Sequence, residues 1–274
     1  MVWMCEVLDV SPSGYYSWLH RAPSQRSRDD DLMLRQVRRS FAESGETYGV
    51  RRVWPDVLAC GYRCGRERVR RLMRQAAMQA RPPRRRLPKD NGERPLHALA
   101  PNRLERSFGA SRPNQRWVAD FTYIWATEGW LYVAVVLDLF SRRVVGWSMK
   151  AQMTAELVTD ALVMALWRRG PAEKLMHHSD QGSQYTSDLF QRLLGDYGIE
   201  CSMSRRGDCW DNAVMESFFS SMKTERIDRR MYRNREEARA VVFDYIERFY
   251  NPRRRHSTLG YLSPMEFEKQ ARLA

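Results

Sequence analysis

Three apolar, strand-like runs follow one another between residues 113 and 150 with no helical stretch between them. They read WVADFTYI, WLYVAVVLDLF and RRVVGWSM, and a turn from Thr127 to Gly129 separates the first two. Such runs, joined by short turns, predict three consecutive antiparallel strands. This order constrains the fold more than any other feature, because the rest of the core must pack on that sheet.

After the third run the pattern alternates between helix and strand. Helices are predicted over residues 154–169 and 188–197, strands at LMHHSD and IECSMS, and a last helix around Glu216. Three strands followed by alternating helices and strands predict an α/β core. From Asp29 to about Ala80 the apolar spacing instead predicts three helices, the second of which contains Pro55.

Two aspartates interrupt apolar runs, Asp120 within the first strand and Asp180 at the end of LMHHSD. A buried charge is costly unless something compensates it. Glu216 lies early in a helix that we expect Asp211 to cap, and Lys223 shares its face. Hard divalent cations prefer carboxylate oxygen, and two of them about 3.5 to 4 Å apart can neutralise both oxygens of a phosphodiester displacement. Asp120, Asp180 and Glu216 are therefore predicted to be catalytic and to bind the metal.

Several longer motifs carry a family resemblance. VLDVSPSGYY, TYGVRR, VLDLFSRRVVGW and YNPRRRHSTLGYLSPMEF occur in that order, and 35 residues separate Asp180 from Glu216. At these residues, and over nearly its whole length, the chain resembles the OrfB transposases of the IS-three group of bacterial insertion sequences, whose catalytic core is like that of retroviral integrase. In that family too a basic residue, here Lys223, follows the glutamate by seven positions.

The resemblance implies a ribonuclease-H-like α/β catalytic core behind a small helix-turn-helix-like domain. It also implies metal-dependent cleavage and strand transfer at insertion-sequence ends, with two Mg²⁺ ions that Mn²⁺ can replace. The partners would be terminal-repeat and target DNA, further copies of the chain in a synaptic complex, and the upstream-frame OrfA product or a fusion to it.

The predicted organisation has five parts. Residues 1–28 are the tail of a longer unit, 29–80 the helix-turn-helix-like domain, 81–112 a basic, proline-rich linker, 113–230 the integrase core, and 231–274 a C-terminal helical segment.

Positive charge is concentrated in the first part of the chain. Residues 1–112 carry 23 Lys and Arg against 12 Asp and Glu, which leaves 23 against 21 for the remainder. A basic field favours phosphate contacts, although a solvated arginine-rich surface is the ordinary alternative. The predicted DNA contacts are Arg66, Arg70 and Arg74 on the third helix, with Arg68 and Arg71 as further candidates, then Gln181, Gln184 and Tyr185 in a polar loop, and Asn212 and Lys223 beside Glu216.

Other polar residues have competing interpretations. His177 and His178 are expected to be hydrogen-bonded structural histidines rather than metal ligands, and Asp138 a turn residue. The arginines at 253–255 either clamp DNA or belong to a helix that packs on the core. Pro55 would remove a hydrogen bond inside its helix and kink it.

The remaining features are less specific. No apolar run reaches the length of a membrane span, and no secretory signal precedes the five cysteines, so we expect reduced thiols, no zinc site and a bacterial cytoplasmic, nucleoid-associated protein. Two alternatives to a transposase stay open: a DNA-binding regulator without catalysis, and a ribonuclease-H-type nuclease that only hydrolyses.

Overall fold

The computed structural model describes residues 2–80, 100–170, 173–205, 209–271 and 273. The chain divides into two compact units, residues 1–80 and residues 81–274. Among the helices of the described residues, none is both long and apolar enough to cross a membrane.

The first unit is entirely helical. Its helices are α1 (Val2–Val7), α2 (Pro12–Leu19), α3 (Gln25–Glu43), α4 (Val50–Ala59) and α5 (Arg66–Gln75). The three predicted helices correspond to α3, α4 and α5, which contact one another pairwise.

The start of α3 differs from the prediction, which began the first of the three helices at Asp29 and left residues 1–28 to the tail of a longer unit. Ser24 caps the helix, and its side-chain oxygen accepts a hydrogen bond from the backbone N–H of Ser27 at 3.2 Å. A serine in extended conformation is a favourable N-cap because it satisfies an otherwise unpaired N–H. The polar residues after Ser24 are therefore the first turn of α3.

Pro55 lies inside α4, and the helix continues through it to Ala59. Two buried valines, Val53 and Val57, flank it and pack in the core of the unit. The Trp54 side chain also donates a hydrogen bond to the carbonyl of Cys64 at 2.9 Å. Tertiary packing of this kind outweighs the local cost of a proline in a helix.

The second unit is built on one five-stranded sheet with strand order β3-β2-β1-β4-β5. The strands are β1 (Arg116–Ala126), β2 (Gly129–Asp138), β3 (Val144–Lys150), β4 (Met176–Ser179) and β5 (Glu200–Met203). The first three are antiparallel neighbours, whereas β4 pairs in parallel with both β1 and β5. The predicted order of strands and the α/β fold class are confirmed.

Helices cover this sheet. They are α6 (Ala155–Arg169), α7 (Asp188–Asp196), α8 (Ala213–Glu225), α9 (Arg235–Phe243) and α10 (Pro264–Ala271). Trp117 and Ala119 of β1 join residues of α6 and α7 in the main apolar core. Because side chains alternate along a strand, Asp120 points to the opposite face, and α8 contacts β1.

The C-terminal segment closes onto the core of the same unit. Helix α9 continues as a π-helical stretch, Asp244–Tyr250, and Asn251 then bonds both the N–H and the carbonyl of Val144 in β3. Arg254 is buried and donates to the Glu225 carboxylate at 2.7 Å. The arginines at 253–255 were expected either to clamp DNA or to pack on the core. For Arg254 the second interpretation holds, because its guanidinium is buried and not exposed to a DNA partner.

The predicted linker is only partly within the described residues, since 81–99 lie outside them. From Ala100 onward the chain contacts the core. Leu104 is buried, the backbone N–H of Arg103 donates to Ser202 at 2.9 Å, and Asn102 donates to Asp211 at 2.7 Å. These residues pack beside β5. The prediction assigned the whole of 81–112 to a linker, and residues 100–112 depart from that prediction because the buried side chain of Leu104 anchors them.

The close approach of β3 to α6 predicts a strong effect of a single methyl group. A Cβ at Gly146 would lie 2.1 Å from the carbonyl oxygen of Ala161 and 2.7 Å from the backbone nitrogen of Ala165. Gly146→Ala should therefore lower the free energy of unfolding by about 1 to 3 kcal/mol, or more, as measured by urea titration.

Gly195 provides the matched control. It lies in α7 and a Cβ there would meet no atom within 4 Å. Gly195→Ala should stabilise the chain by about 0.5 kcal/mol through its helix propensity. Equal effects of the two substitutions would contradict the packing described for Gly146.

Candidate active site

Asp120 lies in the middle of β1, the central strand, opposite Val135 of β2. One carboxylate oxygen accepts a hydrogen bond from the N–H of Phe121 at 2.8 Å. Burial raises the pKa of Asp120 to about 8, and the charges of Asp180 and Glu216 act in the same direction. Three acidic side chains from separate elements therefore share one electrostatic environment.

Asp180 directly follows β4, and the strand pairing explains its place beside Asp120. His178 of β4 is the Cα partner of Val118 in the parallel strand β1. Two residues further along both strands, Asp180 and Asp120 reach corresponding positions. Asp180 also accepts a hydrogen bond from the N–H of Gly182 at 2.9 Å.

Gly182 allows the chain to turn back closely over Asp180. A Cβ at this position would lie 2.9 Å from Oδ1 of Asp180 and 3.1 Å from Oε1 of Gln184. The N–H of Gly182 reaches the carboxylate because no side chain stands between them.

Glu216 lies in the first turn of α8 and is exposed. Burial of the site nevertheless raises the pKa of Glu216. Lys223 follows two turns later on the same helix, and its Nζ lies 5.0 Å from the centre of the Tyr123 ring. Burial lowers the pKa of Lys223, while the charges of Asp228 and Asp120 oppose this. A positive charge is thus placed beside the acidic group.

The donor set fits a hard divalent cation in its chemistry. All three predicted ligands are carboxylates, and a cation would offset both the burial and the neighbouring charges that raise the pKa of Asp120. Within the part of the chain that the structure describes, no three Asp, Glu, His or Cys side chains are close enough to enclose a metal ion. Asp120, Asp180 and Glu216 therefore interact electrostatically without forming a closed ligand shell.

The two histidines before Asp180 are interior residues. His178 pairs with the Ser202 hydroxyl at 2.9 Å, as expected for a structural histidine. His177 is fully buried against Phe190 and Tyr185, and neither of its ring nitrogens has a hydrogen-bond partner. Burial lowers the pKa to about 3 for His177 and to about 4 for His178. Both rings are therefore neutral at physiological pH.

The loop after Asp180 is less exposed than the sequence suggested. Gln184 is buried and donates to the carbonyl of Met153 at 3.3 Å, and Tyr185 is only 1% exposed. Gln181 remains half-buried. In this conformation the side chains of Gln184 and Tyr185 do not form a surface for DNA, because both fill the space between the loop and the core.

Asp211 is not the side-chain cap that the sequence predicted for the Glu216 helix. Its fully buried carboxylate accepts from the N–H and guanidinium of Arg205, from Arg106 and from Asn102. Hydrogen bonds from Arg205 hold the pKa of Asp211 far below its ordinary value. Asn212 occupies the cap position without a side-chain hydrogen bond to the helix, and its Oδ1 is buried and unpaired.

Asp138 forms the predicted turn. Its carboxylate accepts from the N–H of Phe140 at 2.9 Å and from the N–H of Asn114 at 2.8 Å. These contacts tie the end of β2 to the segment that leads into β1, which accounts for a buried aspartate at this position.

The arginines of α5 divide into two groups. Arg68 bonds Asp30 at 2.6 Å and Arg71 bonds the other oxygen of the same carboxylate, so both attach α5 to α3. The other three are exposed and spaced four residues apart, which places them on one face: Arg66, Arg70 and Arg74. Sequence spacing alone did not separate the two groups, since Asp30 lies 38 positions before Arg68.

Comparisons with protein families agree with this architecture. An integrase core domain model matches residues 110–209, a second integrase core domain model matches residues 197–264, and an HTH-like domain model matches residues 27–86.

Two relatives match almost the whole chain. The transposase InsF for insertion sequence IS3A of Escherichia coli (strain K12) is 43% identical over 273 residues, which cover 97% of this chain and 93% of InsF. An uncharacterized 31 kDa protein of insertion element IS600 from Shigella sonnei is 40% identical over 267 residues, which cover 97% of this chain and 98% of that protein.

Solved structures similar to this chain include two integrase catalytic cores. The HTLV-2 integrase catalytic core domain in complex with magnesium (trimeric form) has a TM-score of 0.44 at 18% identity and covers 58% of this chain and 98% of its own. The BIV integrase catalytic core domain has a TM-score of 0.43 at 19% identity and covers 58% of this chain and 97% of its own.

The Tyr185 hydroxyl leads to a stability prediction. It is buried without a hydrogen-bond partner, and burial raises the pKa of Tyr185 well above its ordinary value, with Asp120 and Asp180 adding to the shift. An unpaired buried hydroxyl is unfavourable, so Tyr185→Phe should raise the free energy of unfolding by about 1 kcal/mol, as measured in urea.

Tyr245 is the matched control, because its equally buried hydroxyl donates to Glu225 at 2.9 Å. Tyr245→Phe should lower the free energy of unfolding by about 1.5 to 3 kcal/mol. A decrease of similar size for Tyr185→Phe would show that its hydroxyl is paired in solution.

Proposed function

The chain belongs to the family of insertion-sequence transposases that includes InsF of IS3, polynucleotidyl transferases that act on DNA, and on that premise we propose that Asp120, Asp180 and Glu216 are its catalytic residues. The observation that carries this proposal is the convergence of three elements, since β4 lies parallel to β1 and leads into Asp180, α8 contacts β1, and the charges of Asp180 and Glu216 add to the burial that raises the pKa of Asp120. A perturbed acid of this kind on a central strand is typical of a functional site.

A divalent metal cofactor follows from the same residues. Asp120 would hold it from β1, Asp180 from the position directly after β4, and Glu216 from α8. We propose two Mg²⁺ ions, replaceable by Mn²⁺, since carboxylate oxygens suit both. When bound, such ions neutralise charge that develops on the attacking and leaving oxygens of a phosphodiester.

The residues of the chain would position DNA for two successive displacements. In the first, a water oxygen attacks a phosphodiester at the element end, and the leaving oxygen becomes a free 3′-hydroxyl. In the second, that hydroxyl attacks a target phosphodiester and displaces another 3′-oxygen. Lys223 supports both steps as a positive charge beside Asp120, where it would attract the phosphate being attacked.

The first unit would deliver the DNA. Arg66, Arg70 and Arg74 are exposed on one face of α5, where Arg70 also pairs with Glu67 at 2.8 Å, within a segment that matches an HTH-like domain model. Such groups bind phosphates with little dependence on base sequence. We further propose that the active assembly contains several copies of the chain, and that the OrfA product or a fusion to it completes the recognition of element ends.

The catalytic assignment is tested by amide substitution. Asp120→Asn, Asp180→Asn and Glu216→Gln should each reduce joining of a labelled terminal-repeat duplex in Mg²⁺ at least about a hundredfold, since each removes a charge that holds the reacting centre together. The measurement is strand transfer on a denaturing gel, for the chain alone and fused to the upstream frame.

Asp188→Asn is the control, because Asp188 is an exposed acid on α7, eight residues after Asp180. It should keep full activity, and all the amide variants should keep duplex affinity. Joining by the variants of Asp120, Asp180 or Glu216 would exclude the catalytic assignment. Loss of DNA binding together with loss of joining in these variants would also exclude it. Binding without joining by both native forms, with verified element ends, would favour the regulator.

The arginine assignment predicts a change in salt dependence. Single substitutions Arg66→Gln, Arg70→Gln and Arg74→Gln should each reduce the slope of log affinity against log salt by about 0.9 for every phosphate that the arginine had neutralised. Fluorescence anisotropy of a labelled duplex across a salt series measures this slope.

Arg192→Gln is the control, since Arg192 is an exposed arginine on α7 in the other unit. It changes net charge equally and should leave the slope unchanged. An equal effect of all four substitutions would reduce the role of α5 to that of general surface charge.

A further inference from the structure

Three aromatic side chains at the distal end of the β1–β2 hairpin are exposed together. Tyr123 is 53% exposed, Trp125 58% and Trp130 42%. The Trp125 and Trp130 ring centres lie 4.7 Å apart and those of Tyr123 and Trp130 5.0 Å apart, all edge to face. We refer to Tyr123, Trp125 and Trp130 as the aromatic platform.

Strand pairing fixes the platform on one face of the hairpin. Trp125 and Trp130 are direct cross-strand partners in the register of β1 and β2. Tyr123 lies two residues before Trp125 and therefore points to the same side. Three exposed aromatic rings in contact form an apolar surface that isolated exposed residues do not.

The platform lies near the proposed catalytic centre. Tyr123 follows Asp120 by three residues, about 10 Å along the same strand, and the two side chains leave the strand on opposite faces. Lys223 links the two, since its Nζ lies 5.0 Å from the Tyr123 ring centre and its charge acts on Asp120. A phosphate held at the acidic centre would therefore leave its neighbouring nucleotides within reach of the rings.

Charges at both ends of the platform favour a nucleic-acid strand over an apolar protein surface. Lys223 lies against Tyr123 at one end, and Arg235 donates to the carbonyl of Trp130 at 3.0 Å at the other. Glu128 pairs with Arg235 at the tip of the hairpin and offsets part of that charge. An apolar partner would have to remove water from Lys223 without compensation, whereas a phosphate would compensate it.

We propose that the aromatic platform stacks bases that have left the duplex beside the cleaved phosphodiester. This inference rests on the proposed function, because it takes Asp120, Asp180 and Glu216 as the place where the strand is cut. Paired bases are already stacked on their neighbours, so only unpaired bases present free faces to Trp125 and Trp130. Stacking on aromatic rings tolerates any base and adds affinity without sequence readout.

The test compares two DNA probes on the full chain without divalent metal. One is a blunt duplex, and the other is the same duplex with three unpaired nucleotides at the 3′ end, one of them 2-aminopurine. Native protein should bind the extended probe about 5- to 150-fold more tightly per stacked base and quench its fluorescence. Trp125→Ala and Trp130→Ala should each remove most of that preference, whereas Trp125→Phe should retain it.

Trp167→Ala is the matched control, because Trp167 is 86% exposed near the end of α6 where Arg169 reaches Asp138, at the opposite end of β2 from Trp130. It should keep both the preference and the quenching. Equal affinity of the native chain for the two probes would overturn the proposal. The proposal would also be overturned if Trp125→Ala and Trp130→Ala kept the preference but changed the molar mass measured by light scattering. That result would identify the platform as a contact between copies of the chain.

The outcome is distinguishable from failure of the proposed function. Glu216→Gln should retain the preference for the extended probe, since binding is measured without metal or strand transfer. If triad substitutions abolish joining but the native chain shows no preference, the platform proposal alone fails. If the preference is present but the triad substitutions do not affect joining, the catalytic assignment fails.

Discussion

The burial of Asp120 within the electrostatic reach of two further carboxylates is the constraint on which the second unit depends. The parallel pairing of β4 with β1 brings Asp180 beside Asp120, and α8 adds Glu216. Charges so arranged oppose folding in the absence of a compensating cation. The rest of the unit must therefore hold the two strands in register by other means, and the apolar residues of β1 that face α6 and α7 do so.

The other buried acids of this unit show what a purely structural carboxylate looks like. Glu268 accepts from Ser141, Arg143 and Arg169, and although burial raises its pKa, these partners outweigh burial and hold the pKa below its ordinary value. Asp211 is likewise held by arginines. Asp120 accepts a hydrogen bond from the N–H of Phe121, and Asp138 likewise accepts from backbone N–H groups and has a pKa raised by burial. Asp120 differs from Asp138 in that the charges of Asp180 and Glu216 add to the effect of burial, as expected for an acid that would receive a cation.

Sequence alone predicted the strands, most helices and the fold class, because apolar periodicity and turn residues are local signals. It failed where the partner lies far along the chain. Asp211 resembles a helix cap locally, yet it binds Arg106, 105 positions earlier. Tyr185 resembles a loop residue but fills the core. Residues 100–112 were assigned to a linker from their composition, although Leu104 anchors them to the core. The placement of Asp120, Asp180 and Glu216 as catalytic residues remains a prediction.

The division of the α5 arginines has a consequence for how the sequence of the first unit can change over evolutionary time. Arg68 and Arg71 are committed to Asp30 and hold the helix to its unit. Arg66, Arg70 and Arg74 face outward and bear none of that structural role. The outward positions are therefore free to change without loosening the unit, while the inward pair and Asp30 must change together. Divergence between related elements should accumulate on one side of α5 and leave the other side constant.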